Sequence, residues 1–559
     1  MPLRRAPAGA SHKAHLLGPH PIIRHYLERM NFTGIIQGCL GAGFRQGLDD
    51  AQVLSVMVHN VLVSRGPLYR VLEWAQRLDP AALGLTSQQV AGLNDDRIAR
   101  SLDALASERG RSVFFRLTLR VLKHFNVAVP RVHFDTTTVT FSGEYDGSSS
   151  EPRITYGHNK DHRPDLKQLV LGLNVSSDGA VPLLHHVFSG NRTDDTVHVM
   201  NLDHLRSLLG TDAFTYVADS KLCTTTNLEH VSQGGGRFVT VMPRTRREDK
   251  MFREQLRADK PAVRWRKFHQ MPNARREQDP PDIFSGTDAG PQESAEGYRI
   301  VWVRSSQKAR VDKHLRDERV RRAEVELELL ASRVGGRGLT QRGVVETRIA
   351  KILASHQATG FLEAEVITFT ETLTRHLHRG RPRSGDSVIT ERRAHLRLRI
   401  KRHPAALRAE ARTDGVFPLL TNITDRSRRE VLDIYKYQPH LEKRFSLTKS
   451  EYAIAPIFLK KPLRVVGLIH VYFIAIMLSA LLEREVRLAM KRKDIKRIAV
   501  LPEGRSSETP TTPRVLENFL DVGWYEVEQK GTAINFPVEL TKNQELLLTL
   551  ADVPHSLYR

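Results

Sequence analysis

The chain has 559 residues, two cysteines, and 85 Lys+Arg against 63 Asp+Glu, a net charge of +22. At about 150 residues per domain this length predicts roughly three or four domains, with a core that needs no disulfides. Cys39 and Cys223 lie far apart without metal-ligand spacing, which argues against a disulfide-stapled secreted fold and predicts a reducing, cytoplasmic setting.

The excess of cations attracts polyanions, nucleic acid above all. The opening stretch MPLRRAPAGASHKAHLLG has no apolar h-region, so no secretory leader is expected and residues 1–15 are assigned to a disordered tail. Residues 16–128 read as a separate all-α domain. HYLERMNF, LDDAQVLSVMVHNVLVS and DDRIARSLDALA carry apolar residues at three-to-four spacing, Asn94-Asp95-Asp96 forms an N-cap, and Arg65 and Arg70 are among the basic side chains.

The pattern changes at Pro130, and residues 129–244 read as an α/β segment. RVHFDTTTVTF is a β-branched run and predicts a strand. KQLVLGLNV and AVPLLHHVF flank a hairpin turn at Ser176-Ser177-Asp178-Gly179. A helix over 195–208 precedes FTYVADS, a short strand ending in Asp219. TTTNLEHVSQ then predicts a helix and RFVTVM a strand.

Residues 245–412 become Arg-rich, with Pro and Gln loops and the long charged helix DKHLRDERVRRAEVELELLASRV, and predict an inserted subdomain. The α/β pattern returns over 413–495, with DGVFPLLTN as a strand and helices from 426 to about 490. Leu463 to Leu482 is long enough to cross a bilayer. It carries Arg464 and His470, however, and runs into EREVRLAMKRK, so it reads as a buried core helix with no membrane partner. Residues 496–559 are mixed and form a C-terminal region without a clear pattern.

Asp135 and Asp219 sit on or at the end of β-rich runs, where a carboxylate is costly to bury. Two carboxylates brought together repel unless a cation joins them, and hard cations such as Mg²⁺ take oxygen ligands. Taken alone, the pair is equally explained by strand-end turn chemistry. The stretch IYKYQPHLEKRFSLTKS adds Tyr435, Gln438, Glu442 and Lys449 at offsets 0, 3, 7 and 14. On a continuous helix these fall within roughly 60° of one another. Periodicity alone fits a solvated heptad face as well. Pro439 predicts a helix that starts near it, leaving Tyr435 and Gln438 just before.

Tyr435-x2-Gln438-x3-Glu442-x6-Lys449 resembles the Tyr-x2-Arg-x3-Glu-x6-Lys signature of the insertion-sequence-four superfamily of DDE transposases, departing from it at Gln438, where that pattern has Arg. HFDTTTVTFSGEY, YGHNKDHRPDLKQLVLGL, GNRTDD and YVADSKL resemble ordered blocks of the subgroup with an insertion between the second Asp and the Glu, as do LGPHPIIRHYLERM and SRGPLYRVLEW. The resemblance implies an α/β fold with a ribonuclease H-like core, a mixed sheet with helices on both faces. It implies Asp135, Asp219 and Glu442 as catalytic metal ligands for two Mg²⁺ ions, with Mn²⁺ as a substitute, and Tyr435, Gln438 and Lys449 on the DNA side. It further implies cleavage at element ends, strand transfer into double-stranded target DNA, DNA-bound homo-oligomers, and end recognition by residues 16–128. The 223 residues from Asp219 to Glu442 are too many for one connection and require the insertion. A nuclease or resolvase on the same fold, and an inactive DNA-binding relative acting as a repressor, are the alternative readings.

Other residues carry weaker signals. Lys160 and Lys167, near Arg163 and Asp165, suit phosphate positioning or a charged loop cap. Arg379 and Arg381 in RGRPR resemble an AT-hook core, a minor-groove binder, but fit a basic loop better. His133, His158, His162, His185 and His186 lack zinc-ligand spacing and read as hydrogen-bonding histidines. Trp265 and Trp302 suit core packing better than base stacking.

Overall fold

Among the described residues of 20–124 the helices are mostly short, because capping and turn residues interrupt the apolar runs. The structure is a computed structural model; it describes all residues except 1–9, 42–46, 146–150, 159–162, 194–195, 274–278, 337, 377–387, 453, 455–456, 458, 530–531 and 559. A strand, β1 (Ala10–Leu16), leads into α1 (His20–Arg29), α2 (Phe32–Leu40), α3 (Asp50–His59), α4 (Val71–Ala75), α5 (Ser87–Ala91), α6 (Asp95–Ala106) and α7 (Glu108–His124). Asp49 and Gln52 close a capping box on α3. The Asn94 side chain accepts from the Arg97 amide to start α6, as the sequence predicts.

The α/β segment follows with β2 (Arg131–Phe141), β3 (Lys167–Ser176), β4 (Pro182–Ser189), α8 (His198–Leu209), β5 (Thr215–Ala218), α9 (Thr225–Gln233) and β6 (Arg237–Val241). Next come α10 (Arg247–Ala258), β7 (Arg266–Met271), β8 (Asp282–Thr287), β9 (Arg299–Ser305), α11 (Ser306–Ala331), α12 (Arg342–Ser355), β10 (Leu362–His376), β11 (Val388–Arg402), α13 (Pro404–Ala411) and β12 (Val416–Thr421). The chain ends with α14 (Arg428–Tyr435), α15 (Gln438–Ser446), α16 (Pro462–Arg492), β13 (Ile498–Ala499), β14 (Ser506–Ser507), α17 (Thr512–Glu517), β15 (Gly523–Gln529), β16 (Thr532–Phe536) and α18 (Lys542–Leu550).

Two units result: Met1–Thr240 with Asp433–Arg559, and Val241–Leu432. In the first, strands run in the order β4-β3-β2-β5-β6. β2 pairs antiparallel with β3, and β3 with β4, while β2–β5 and β5–β6 are parallel, so the sheet is mixed. Helices cover both faces. On one, α8 packs over Phe134 and Tyr216, with Asn201 bonded to Asn174 of β3 and to the Tyr216 hydroxyl. On the other lie α15, α16 and α7, where the Thr118 hydroxyl donates to Leu183 O at 2.9 Å and Phe114 meets His185 edge-on.

The apolar span identified in the sequence is α16, and nearly all of it is buried. Each fully buried Leu, Ile or Phe contributes about 1.5–3 kcal/mol, enough to make this helix the centre of the unit. Arg464 and His470 have protein partners within the unit: Arg464 pairs with Asp103 of α6 at 3.0 Å and His470 bonds His185 at 2.6 Å. Gly467 lets α6 come close, since a Cβ there would sit 2.3 Å from Leu102 O.

Two sequence expectations are corrected here. Residues 1–15 are not a tail throughout, because β1 pairs antiparallel with β15, and β15 with β16. The helices of residues 20–124 are not a separate domain. They share one apolar core with β2, β3, α15, α16 and the C-terminal helices, and the Tyr26 hydroxyl reaches Ala551 O at 2.8 Å.

The second unit corresponds to the expected insertion, with the return to the first at Asp433 instead of 413. β12, expected in the core, pairs with β9 from Val416↔Arg304 to Thr421↔Arg299 and belongs to the antiparallel run β12-β9-β8-β7. A hairpin of two 15-residue strands, β10 and β11, packs with α11 and α12 around Val320, Leu327, Val345 and Val366. Trp302 is fully buried, its indole N–H donating to Pro291 O at 2.7 Å, in agreement with core packing.

Candidate active site

Parallel pairing of β2 with β5 brings the ends that carry the two aspartates together. Arg131 pairs with Thr215, Val132 with Tyr216 and His133 with Val217, an offset of 84 residues. Asp135 and Asp219 keep that same offset, two positions further along parallel neighbours. Asp219 lies one residue beyond β5, with an extended backbone. Neighbouring strands are about 4.8 Å apart, and in-register residues of a parallel pair point to the same face. Asp135 alternates with Phe134 and so shares the α15 side of β2 with His133, and both aspartates are partly exposed. Local bonds hold them: Asp135 Oδ1 accepts from the Thr136 amide at 2.7 Å and Asp219 Oδ1 from the Lys221 amide at 3.0 Å. The Thr240 hydroxyl, on β6, fixes Asp219 O at 2.6 Å.

Glu442 is an exposed residue of α15, whose ends are fastened to the sheet side of the unit. At its start, Nδ1 of buried His133 donates to Gln438 Oε1 at 3.1 Å, and Gln438 Nε2 donates to Phe134 O at 3.0 Å. Burial holds His133 near 4, neutral at physiological pH, despite the opposing effect of its Gln438 bond. Near the end of α15, buried Arg444 pairs with Glu483 of α16 at 2.8 Å and donates to Gly179 O at 2.8 Å and Ala180 O at 3.1 Å. Gly179 turns with φ +81°, and a Cβ there would press on Arg484 at 2.9 Å.

Tyr435 lies within the electrostatic reach of all three acids. Burial first, then the charges of Asp219, Glu442 and Asp135, push its hydroxyl up to about 12, because nearby carboxylates disfavour a phenolate. Among the described residues no group of three or more His, Cys, Asp or Glu side chains converges closely enough to hold a metal ion. The acids thus share the surroundings of Tyr435 without closing a cage. Their oxygens are the donor type that suits a hard divalent cation.

The other expected residues are dispersed. α14 ends at Tyr435 and α15 starts at Gln438 with Pro439 in its first turn, so the motif is not one continuous helix face. Gln438 is buried with both amide ends bonded to β2; it is therefore a clamp on the sheet and not a surface group for DNA. Lys449 lies in a π-helical turn, Leu447–Glu451, following α15. Lys167 begins β3, with its ammonium bonded to Glu144 O and 5.7 Å from the Tyr156 ring centre. Arg163 pairs with Asp165. Lys160, His162, Arg379 and Arg381 lie outside the described residues. His186 bonds Asn201 at 2.9 Å, a hydrogen-bonding role like those of His133 and His185.

Sequence reasoning missed Arg444, two residues past Glu442, whose only signal was a cation facing the buried side of an amphipathic helix. It also missed a cavity of about 600 Å³ beside α15, lined by Lys443, Arg487, Lys491 and Arg514 among others.

A family model described as a domain of unknown function, DUF4277, matches residues 13–119. That segment includes α1 to α6 and most of α7 and excludes all three acids. No curated protein matches the chain. Six solved chains do, among them one from the cryo-EM structure of a piggyBac transposase synaptic complex with hairpin DNA, at 8% identity and a TM-score of 0.28, over 53% of this chain and 63% of that one. This chain therefore spans less than two thirds of that chain's length.

Proposed function

We propose that this chain is a DDE-type transposase with a ribonuclease H-like core, cutting DNA at element ends and joining the freed ends to target DNA. The register of β2 on β5 is the observation that supports this reading: it pairs Arg131–His133 with Thr215–Val217, and Asp135 and Asp219 follow two residues beyond at the same offset, while the charges of all three acids reach Tyr435. The mixed sheet with helices on both faces agrees with such a core, and the 192 residues of Val241–Leu432 supply the insertion the motif order requires.

In this reading Asp135, Asp219 and Glu442 would hold Mg²⁺, or Mn²⁺ in its place. The bound metal would supply Lewis-acid stabilisation of the attacking and leaving oxygens of an in-line phosphoryl displacement. The chain's own groups do the rest. Asp135 sits on β2 and Asp219 directly after β5, its parallel neighbour, so the sheet restrains both before DNA arrives. Glu442 comes from a helix clamped through Gln438 and Arg444, which sets its height over the sheet. Tyr435, protonated throughout the physiological range, can donate a hydrogen bond to a phosphate oxygen. Lys449 and the basic cavity beside α15 provide counter-charge for the DNA backbone. Water displaces the 3′ oxygen at the element end, and the freed 3′-hydroxyl then displaces a 3′ oxygen of the target strand.

The test uses full-length protein, Mg²⁺ and duplexes carrying the repeats that flank the gene. Asp135→Asn, Asp219→Asn and Glu442→Gln should each lower strand cleavage more than about a hundredfold, beyond the usual cost of losing an outer-shell partner. Thermal unfolding and DNA retention should stay near wild type. Near-normal cleavage by any one variant removes that residue from the site, and cleavage without joined products would mean a nuclease.

A further inference from the structure

α11 has a second apolar line on the side it does not bury. Its inner side, with Val320, Ala323, Leu327 and Leu330, packs into the core of its unit. On the far side Val311, Leu315, Val325 and Leu329 are 55%, 52%, 45% and 53% exposed. With Glu318 and Arg322 between them, these positions advance by 4, 3, 4, 3 and 4 residues. That is the seam spacing of paired helices, with a charged step at its middle. From residue 311 to 329 the line runs about 27 Å.

The line also reads the same from either end. Turned end for end about position 320, it sets Val311 opposite Leu329, Leu315 opposite Val325, and Glu318 opposite Arg322. A parallel pairing would instead place Glu318 on Glu318 and Arg322 on Arg322, like charge on like. Within one chain Glu318 already lies 3.8 Å from Arg322 and 3.0 Å from Arg321, so these side chains extend along the seam. Arg319, flanking it, is bonded to Gln357 at 2.6 Å.

We propose that the outer face of α11 is the contact for a second copy of this chain, docked antiparallel about a two-fold axis. A two-fold contact requires a surface complementary to its own reversal, and this seam is, in both apolar steps and charge. The assignment is independent of the catalytic reading, since its readout is mass.

Sedimentation velocity on the full-length protein at about 10 µM should give twice the 63.4 kDa chain mass. Leu315→Glu with Leu329→Glu should give a folded monomer with wild-type circular dichroism, because both residues are exposed. Arg322→Glu alone should weaken the dimer about tenfold or more by facing Glu318, and adding Glu318→Arg in the same chain should restore it. Under mild oxidation Leu315→Cys with Val325→Cys should cross-link between chains, while Leu315→Cys alone should not. A monomeric wild type, a dimer indifferent to these changes, or cross-linking by Leu315→Cys alone overturns the proposal. Should the glutamate variant fail to fold, the charge reversal and its restoration decide.

Discussion

At the scale of single residues, one motif divides into two kinds of work. Gln438 sits where the resembled pattern has Arg, and the structure gives it a buried post on β2, bonded to the His133 ring and to Phe134 O. A guanidinium in that post would bring a charge into a largely dry contact. Lys449, in contrast, lies in the turn beyond α15 and is only partly buried. If its ammonium acts as a point charge on DNA, Lys449→Ala should lower end joining about tenfold while calorimetric Mg²⁺ binding stays at wild-type strength. Wild-type joining would remove Lys449 from the site, and weakened metal binding would assign it a different role. The offsets 0, 3, 7 and 14 suggested one shared face; a helix break after Tyr435 and a π-turn after Ser446 are local departures that regular periodicity does not encode.

Among elements, α15 depends on its anchors. Arg444 and Glu483 are both buried, and each has further partners: Gly179 and Ala180 carbonyls for the arginine, the Thr512 amide for the glutamate. Breaking a buried pair from one side leaves an uncompensated charge, at a cost of about 3–5 kcal/mol. Arg444→Met should therefore reduce unfolding free energy by that amount in urea titrations, and Arg444→Met with Glu483→Leu should regain part of it. Equal losses in the single and double variants would show that packing, not charge, dominates. Because α15 carries Glu442, the single variant should also lose cleavage at temperatures where it remains folded.

For the whole molecule, the decisive feature is a core drawn from both chain ends. α1, α3, α6 and α7 pack with α16 and α18, and the Tyr558 hydroxyl donates to Gly18 O at 2.9 Å. Removing residues 1–125 would expose the apolar surface of α16, whose packing on α6 is close enough to require Gly467. The expected outcome is an aggregated product without cooperative melting, detected by circular dichroism and light scattering. A soluble, cooperatively unfolding 126–559 fragment would sink the shared-core account. DNA-end recognition by residues 16–128 is thus best tested with surface substitutions such as Arg70→Ala, which leave that core in place.

The sequence by itself determined the elements around the acids: the β-branched run holding Asp135, the hairpin turn at 176–179, the short strand before Asp219, and the apolar helix at 463–482. Their signals are local, resting on side-chain shape, turn chemistry and apolar period. The sequence's change to an Arg-rich composition over 245–412 also pointed to an inserted subdomain between Asp219 and Glu442. Tertiary structure decided the rest. Only strand pairing could bring the ends of β2 and β5 that carry Asp135 and Asp219 together, because register belongs to two segments jointly. Only packing could merge the N-terminal helices with the core and turn Gln438 and Arg444 inward, because a polar residue on an amphipathic helix gives no local sign of a buried partner some 40 or 300 residues away.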